Sequence, residues 1–182
     1  MALDTTSSSS IVNRMMRAAR LEVPLYEEVE ADLTATNQAL LVVVIVAVAS
    51  GIGGAVAGGI IGGLVRGLLT ALIGWAVWSY ALYFVGTRFF GGTATYGEML
   101  RTLGFAQSPG VLYILGVIPV VGGIVAIVAF IWTLVTSFIA TRQALDVDNT
   151  KTVFTILIAF VAFAIVYAIL GALFVAVAVF VH

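Results

Sequence analysis

Four charged side chains in two connectors are the best candidates for recognition or chemistry. Glu98 and Arg101 stand three residues apart in a short helix expected over residues 96–103, so they can pair on one face. Arg142 and Asp146 stand four apart in the connector 142–151. Together the four would form a small ion-pair network joining two connectors, a surface for a partner rather than a reaction centre. Surface pairs of this kind contribute about 0–1 kcal/mol. Catalysis needs positioned acids, bases or nucleophiles, and the chain supplies few: it has no cysteine, and its single histidine is His182. Disulfide, thiol and iron–sulfur chemistry are excluded. Asp146, Asp148 and Asn149 lack the glycine and distal glutamate of a calcium loop. Capping of the next helix by Asp148 to Thr150 accounts for them better. We therefore expect no enzyme activity, no cofactor and no metal.

The elements that hold these residues must be membrane helices. The 182 residues are 62% hydrophobic and 9% charged, with a mean hydropathy of +1.19, whereas soluble domains are about 25% charged. All nine carboxylates fall in the polar head or in connectors. A bilayer explains that partition, since a charge at its centre is costly and usually marks an ion or proton path. The net charge of −1 gives no basic face for nucleic acid. A span takes about 20 apolar residues. The chain is expected to be all-α, a polytopic bundle of five transmembrane helices over roughly 37–56, 65–85, 100–121, 124–141 and 152–181. Pro109 breaks the third, which is either kinked from near Leu100 or partly re-entrant, and Pro119 with Gly122-Gly123 turns into the fourth. Two parts follow: a head over 1–35 and a transmembrane domain over 36–182.

Within the head, residues 1–9 read as a disordered tail, without the apolar core of a secretory signal. Residues 11–21 form an amphipathic helix. At 100° per residue Met15 and Met16 share a side with Ile11 and Val12, while Arg14, Arg17 and Arg20 lie opposite. That pattern suits a helix in the headgroup layer, its arginines towards anionic lipid; the alternative is a helix docked on the protein's own membrane domain. An acidic segment opened by Pro24 follows. Glycines at four-residue spacing (Gly54, Gly58 and Gly62 among them) allow close helix approach, either within the first hairpin or between copies of the chain.

Lysine and arginine placement sets the orientation. With five spans, Arg14, Arg17, Arg20, Arg88, Arg101, Arg142 and Lys151 share one side and Arg66 is alone on the other. The N-terminus is then cytoplasmic and the C-terminus outside.

Gly91-Gly92-Thr93, Tyr96-Gly97-Glu98-Met99-Leu100-Arg101, Gly104-Phe105-Ala106, Ser108-Pro109, Pro119 with Gly122, and Ile131-Trp132 resemble the Yip (Ypt-interacting protein) family in its bacterial branch. The resemblance implies a five-span protein with a cytoplasmic head in the bacterial inner membrane. Eukaryotic members of that family engage small GTPases through membranes of the secretory pathway. Their Asp-Leu-Tyr-Gly-Pro signature is absent, the nearest stretch being Ala81-Leu82-Tyr83-Phe84-Val85, so GTPase binding does not carry over.

The expected function is a non-enzymatic scaffold, membrane organiser or trafficking-type factor. Its partners are the lipid bilayer, anionic at the head, and a membrane protein or a second copy. One alternative is a passive transporter, channel or lipid scramblase, with Ser79, Tyr80, Tyr83, Thr133 and Ser137 lining a polar groove. Another is an accessory subunit of a larger membrane complex.

Overall fold

The protein is seen in a computed structural model that describes residues 10–54 and 60–181. Its elements are α1 (Ile11–Ala19), α2 (Val23–Ala31), α3 (Ala35–Gly53), α4 (Ile60–Phe90), α5 (Tyr96–Ala106), a 3-10 helix (Ser108–Val117), α6 (Val121–Leu145) and α7 (Asn149–Val181); no strand occurs among the described residues. α1 starts under the Ser10 hydroxyl, which accepts from Asn13 N, and is stopped two residues short of expectation by Leu21 at φ 64°. Pro24 sits in the first turn of α2, where its missing N–H costs nothing.

Among the described residues four segments are long and apolar enough to cross a bilayer: Ala35–Gly53, Gly67–Phe90, Val121–Leu145 and Asn149–Val166. The expected third span over 100–121 is not one of them. Pro109 lacks an amide proton for the α-helical ladder, and the chain there divides into the 11 residues of α5 and the 10 of the 3-10 helix. At about 1.5 Å and 2.0 Å per residue these reach roughly 16 Å and 20 Å, each short of an apolar layer of roughly 30 Å.

Glycines bring this broken segment against α3. A β-carbon added at Gly104 would lie 2.7 Å from Ala39 Cβ, one at Gly110 2.6 Å from Val46 Cγ1, and one at Gly116 2.8 Å from the Gly53 carbonyl oxygen. Positions rise together on both sides, so α5 and the 3-10 helix run parallel to α3 along its length. Gly122 then brings α6 onto the same spot, since its added β-carbon would meet Gly116 Cα at 2.8 Å. Close approach was expected from Gly54, Gly58 and Gly62. A β-carbon added at Gly54 would meet the Ser50 carbonyl of the same helix at 3.3 Å, and Gly58 and the surroundings of Gly62 lie outside the described residues. Among the described residues the tight seam is Gly53–Gly116–Gly122. α3 is the enclosed span, with 39% of its membrane window buried against 17% for each of the other three.

The packed core lies at the end where α2, α5 and the C-terminus of α6 meet. Leu25, Tyr26 and Val29 of α2 join Met99, Leu103 and Phe105 of α5 and Leu145 of α6, all at most 1% exposed. Trp75 Nε1 donates to Leu100 O at 3.1 Å and Tyr96 O–H to Ala76 O at 3.0 Å, fastening α4 to α5.

Candidate functional site

The head folds back onto the bundle through its own charges. Arg14 is only 5% exposed; its guanidinium donates to Glu28 at 3.0 Å, Gln38 at 3.0 Å and Asp32 at 2.8 Å. Arg17 donates to Glu22 at 3.1 Å and Glu28 at 2.6 Å. A carboxylate shared by two guanidiniums is held charged: burial pushes the Glu28 carboxyl up, but hydrogen bonds from Arg17 and Arg14 outweigh it and leave it below the ordinary range. Asp32 is lowered too, above all by the Thr34 hydroxyl; burial opposes this, and Arg14 adds to the lowering. Arg14 therefore faces α2 and α3, where an orientation towards lipid headgroups was expected; the acidic segment, tethered nearby, supplies its carboxylate partners. Met15 packs against the core, while Val12, Met16 and Arg20 remain exposed. The docking is completed by Tyr26 O–H to Ala18 O at 3.1 Å and Trp132 Nε1 to Ala19 O at 2.7 Å.

Glu98 and Arg101 do not pair. Thr95 caps α5: its hydroxyl accepts from Glu98 N at 3.3 Å, while the Glu98 carboxylate accepts from Thr95 N at 2.7 Å. Arg101 is 4% exposed and turned to α2, donating to Val29 O at 2.9 Å and to the Glu30 carbonyl. It thereby satisfies carbonyls that the last turn of α2 leaves open. This buried cation is a clasp, not part of a surface. Glu30 above it feels burial first, then the carboxylates of Asp146 and Glu98, with Arg101 opposing; its carboxyl is pushed up to about 7.

Arg142 and Asp146 also part company. Arg142 donates to the side-chain oxygen Oε1 of Gln143 at 3.1 and 2.9 Å and to Asn149 Oδ1 at 3.1 Å. Asp146 ends α6 in the left-handed conformation (φ 53°), which an aspartate tolerates, and accepts from the Thr93 hydroxyl at 2.9 Å. With Thr93 N bonded to Leu145 O at 3.1 Å, this joins the connectors after α4 and α6 without an ion pair. Gln143 reaches Glu27 at 3.2 Å, adding α2. Asp148 caps α7 through Lys151 N at 2.9 Å. The result is an open dish of about 650 Å³ lined by Arg142, Gln143, Asp146, Asp148, Asn149 and Thr150. Of the four residues expected to make a surface network, Arg142 and Asp146 line this dish. No group of three metal-ligating acids or histidines occurs among the described residues.

Pro109 is buried at the start of the 3-10 helix, and Pro119 is exposed in the turn before α6. That turn strains Val120, at φ 67° and ψ −55°, with Val121 N bonded to Pro119 O at 2.8 Å. The hydroxyl groove expected from Ser79, Tyr80, Tyr83, Thr133 and Ser137 does not form: Ser79 Oγ and Thr133 Oγ1 are buried without a partner, and Tyr80 is exposed. Missed in the sequence were Gln38 as a partner of Arg14, signalled only by its place on the first turn of α3, and the Thr95-x-x-Glu98 capping box, which the spacing does display.

No curated protein and no solved structure matches the chain. The family model of the Yip1 domain matches residues 26–180, which takes in every element from within α2 to the end of α7. The broken α5–3-10 segment clasped by the head thus lies inside the matched region, and the chain belongs to the Yip1 domain family.

Proposed function

We propose that this Yip-type membrane protein is a non-enzymatic scaffold of a bacterial inner membrane, presenting the dish at the Arg142–Thr150 connector to a membrane-protein partner. The observation that carries the reading is the hydrogen-bonded frame of that dish. Thr93, Gln143, Asn149 and Glu27 fix its walls through hydrogen bonds drawn from three separate parts of the chain. A preorganised polar surface loses less side-chain entropy when a partner docks.

The same reading has five passes, with α5 and the 3-10 helix together as the third. Two facts support it: their parallel register with α3, and a combined reach of roughly 36 Å. Five passes put the dish and the head on the side holding seven of the eight basic residues, which the positive-inside rule makes cytoplasmic. The exposed side chains Val12, Met16 and Arg20 of α1 are left for the lipid surface.

Photoreactive residues at Asp146 and Asn149, irradiated in native membranes, test the proposal. One discrete protein adduct, absent from a control at exposed Ile124, is the expected result. Lipid adducts alone at all three positions would overturn it.

A further inference from the structure

Between α3 and α4, inside the two segments suited to cross a bilayer, lies a cavity of about 460 Å³. Val43, Val46 and Ser50 line it from α3, and Gly67, Thr70 and Gly74 from α4. The two helices touch near Gly51, whose added β-carbon would meet Leu64 Cδ2 at 2.5 Å, and then part: one added at Gly67 or Gly74 would meet nothing within 4 Å. Gln107 and Tyr113 make the floor, where α5 gives way to the 3-10 helix. Ser50, Gly67 and Thr70 are exposed and mark the mouth; Gln107, Tyr113 and Trp75 are half-buried behind them.

The lining carries no charge, yet four of its side chains can donate a hydrogen bond: Ser50, Thr70, Gln107 and Tyr113. None of the four has a side-chain hydrogen bond among the described residues. The indole of Trp75 is already committed to Leu100 O. At membrane depth a polar group without a partner is costly, because hydrocarbon offers none. Water fits poorly as the occupant. The space holds on the order of ten waters, and beyond their bonds to one another only four side chains, set among walls of valine, alanine and glycine, would anchor them. What fits is a body that is mostly apolar, uncharged, and rich in acceptors.

We infer that this cavity binds the glycerol–ester region of a bilayer glycerolipid, whose ester carbonyls accept from Gln107, Tyr113 and the Ser50 and Thr70 hydroxyls. The acyl chains leave through the mouth between α3 and α4. The inference does not rest on the scaffold reading, since a stationary lipid is compatible with any partner at the dish.

The full chain in nanodiscs containing a phosphatidylglycerol with a diazirine beside the sn-2 ester provides the test. Label is expected at Val43–Gly51 and Gly67–Trp75 in excess of the lipid-facing Ile124 and Phe130. Gly74→Leu grows into open space and should bring that excess down to the α6 level while leaving the α6 label unchanged. If that variant does not fold, Gln107→Leu carries the test, with label at the cavity falling about fivefold, the worth of one hydrogen bond. A diether analogue without carbonyls, carrying the diazirine at the same position, loses all of these bonds and should label the cavity more than about fivefold less. Cavity label no higher than that on α6, or equal label from ester and ether lipids, overturns the inference.

Discussion

Replacing Arg14 by glutamine removes a side chain that ties α1 to both α2 and α3. Hydrogen bonds to charged groups are worth about 1.5–3 kcal/mol each, but those from Arg14 to Glu28, Gln38 and Asp32 do not simply add. Glu28 keeps Arg17 at 2.6 Å, and Asp32 keeps Thr34 N at 2.9 Å and its hydroxyl at 2.6 Å. Both carboxylates are also about a third exposed (35% and 27%) and rehydrate once released. The uncompensated loss is the 5%-exposed guanidinium itself and its bond to Gln38, so we expect about 2–3 kcal/mol. Hydrogen exchange of the α1 amides in nanodiscs reads this directly, as roughly 30- to 150-fold faster exchange than in the unaltered chain. Arg20→Gln, at an exposed position, should leave the rates unchanged. An increase below about threefold in Arg14→Gln would show that these ion pairs behave as ordinary surface pairs and that something else holds the head down.

Glu30 makes stability fall as pH rises. Its folded value of about 7 lies above the ordinary 4.5, so across that window the folded chain holds more proton than the unfolded one. Unscreened, the effect would be about 3 kcal/mol, and solvent around a partly exposed group reduces it to about 1 kcal/mol. Glu30→Gln should therefore flatten the melting temperature between pH 5 and about 7.5, and a variant with the original slope would refute this assignment. Glu28 and Asp32 act in the opposite direction, their contribution being lost as pH falls through their lowered values. Val120→Gly should raise thermal stability by about 1 kcal/mol by relieving the positive φ, measured as a higher melting temperature. Gly116→Ala should cost about 1–3 kcal/mol because its β-carbon meets Gly53 backbone, while Gly67→Ala, open and helical, should gain about 0.5–1 kcal/mol; equal melting temperatures would contradict the seam.

The long helices were legible because bilayer solvation writes itself into composition: α3, α4, α6 and α7 each overlap a span read from hydropathy. The stretch between α4 and α6 was legible only as trouble. Pro109 signals a break, and the sequence offered a kinked or a partly re-entrant helix; the 3-10 segment that forms needs the neighbours that Gly104, Gly110 and Gly116 admit, and those lie some 65 residues earlier on α3. Arg14 defeated the helical-wheel argument for a related reason. A wheel shows that three arginines share a side, and cannot show that Glu28 and Asp32 fold back to meet them. Arg101 was read against its nearest sequence neighbour of opposite charge. In the fold it serves carbonyls 71 and 72 residues away, a contact no local pattern encodes.

The Arg101 clasp also sets a clock for biogenesis. Its carbonyl partner lies 72 residues upstream, and Trp132 meets Ala19 across 113. At roughly 5–20 residues per second, α2 waits about 4–14 s after its own synthesis for Arg101 to be made, and α1 about 6–23 s for Trp132. During that interval the growing chain already has two apolar helices to insert, with the head unanchored beside them. The ion pairs of Arg14 and Arg17 with Glu22, Glu28 and Asp32 span only 5 to 18 residues, so they can close before translation reaches α5. The head can reach the membrane with those two arginines already neutralised.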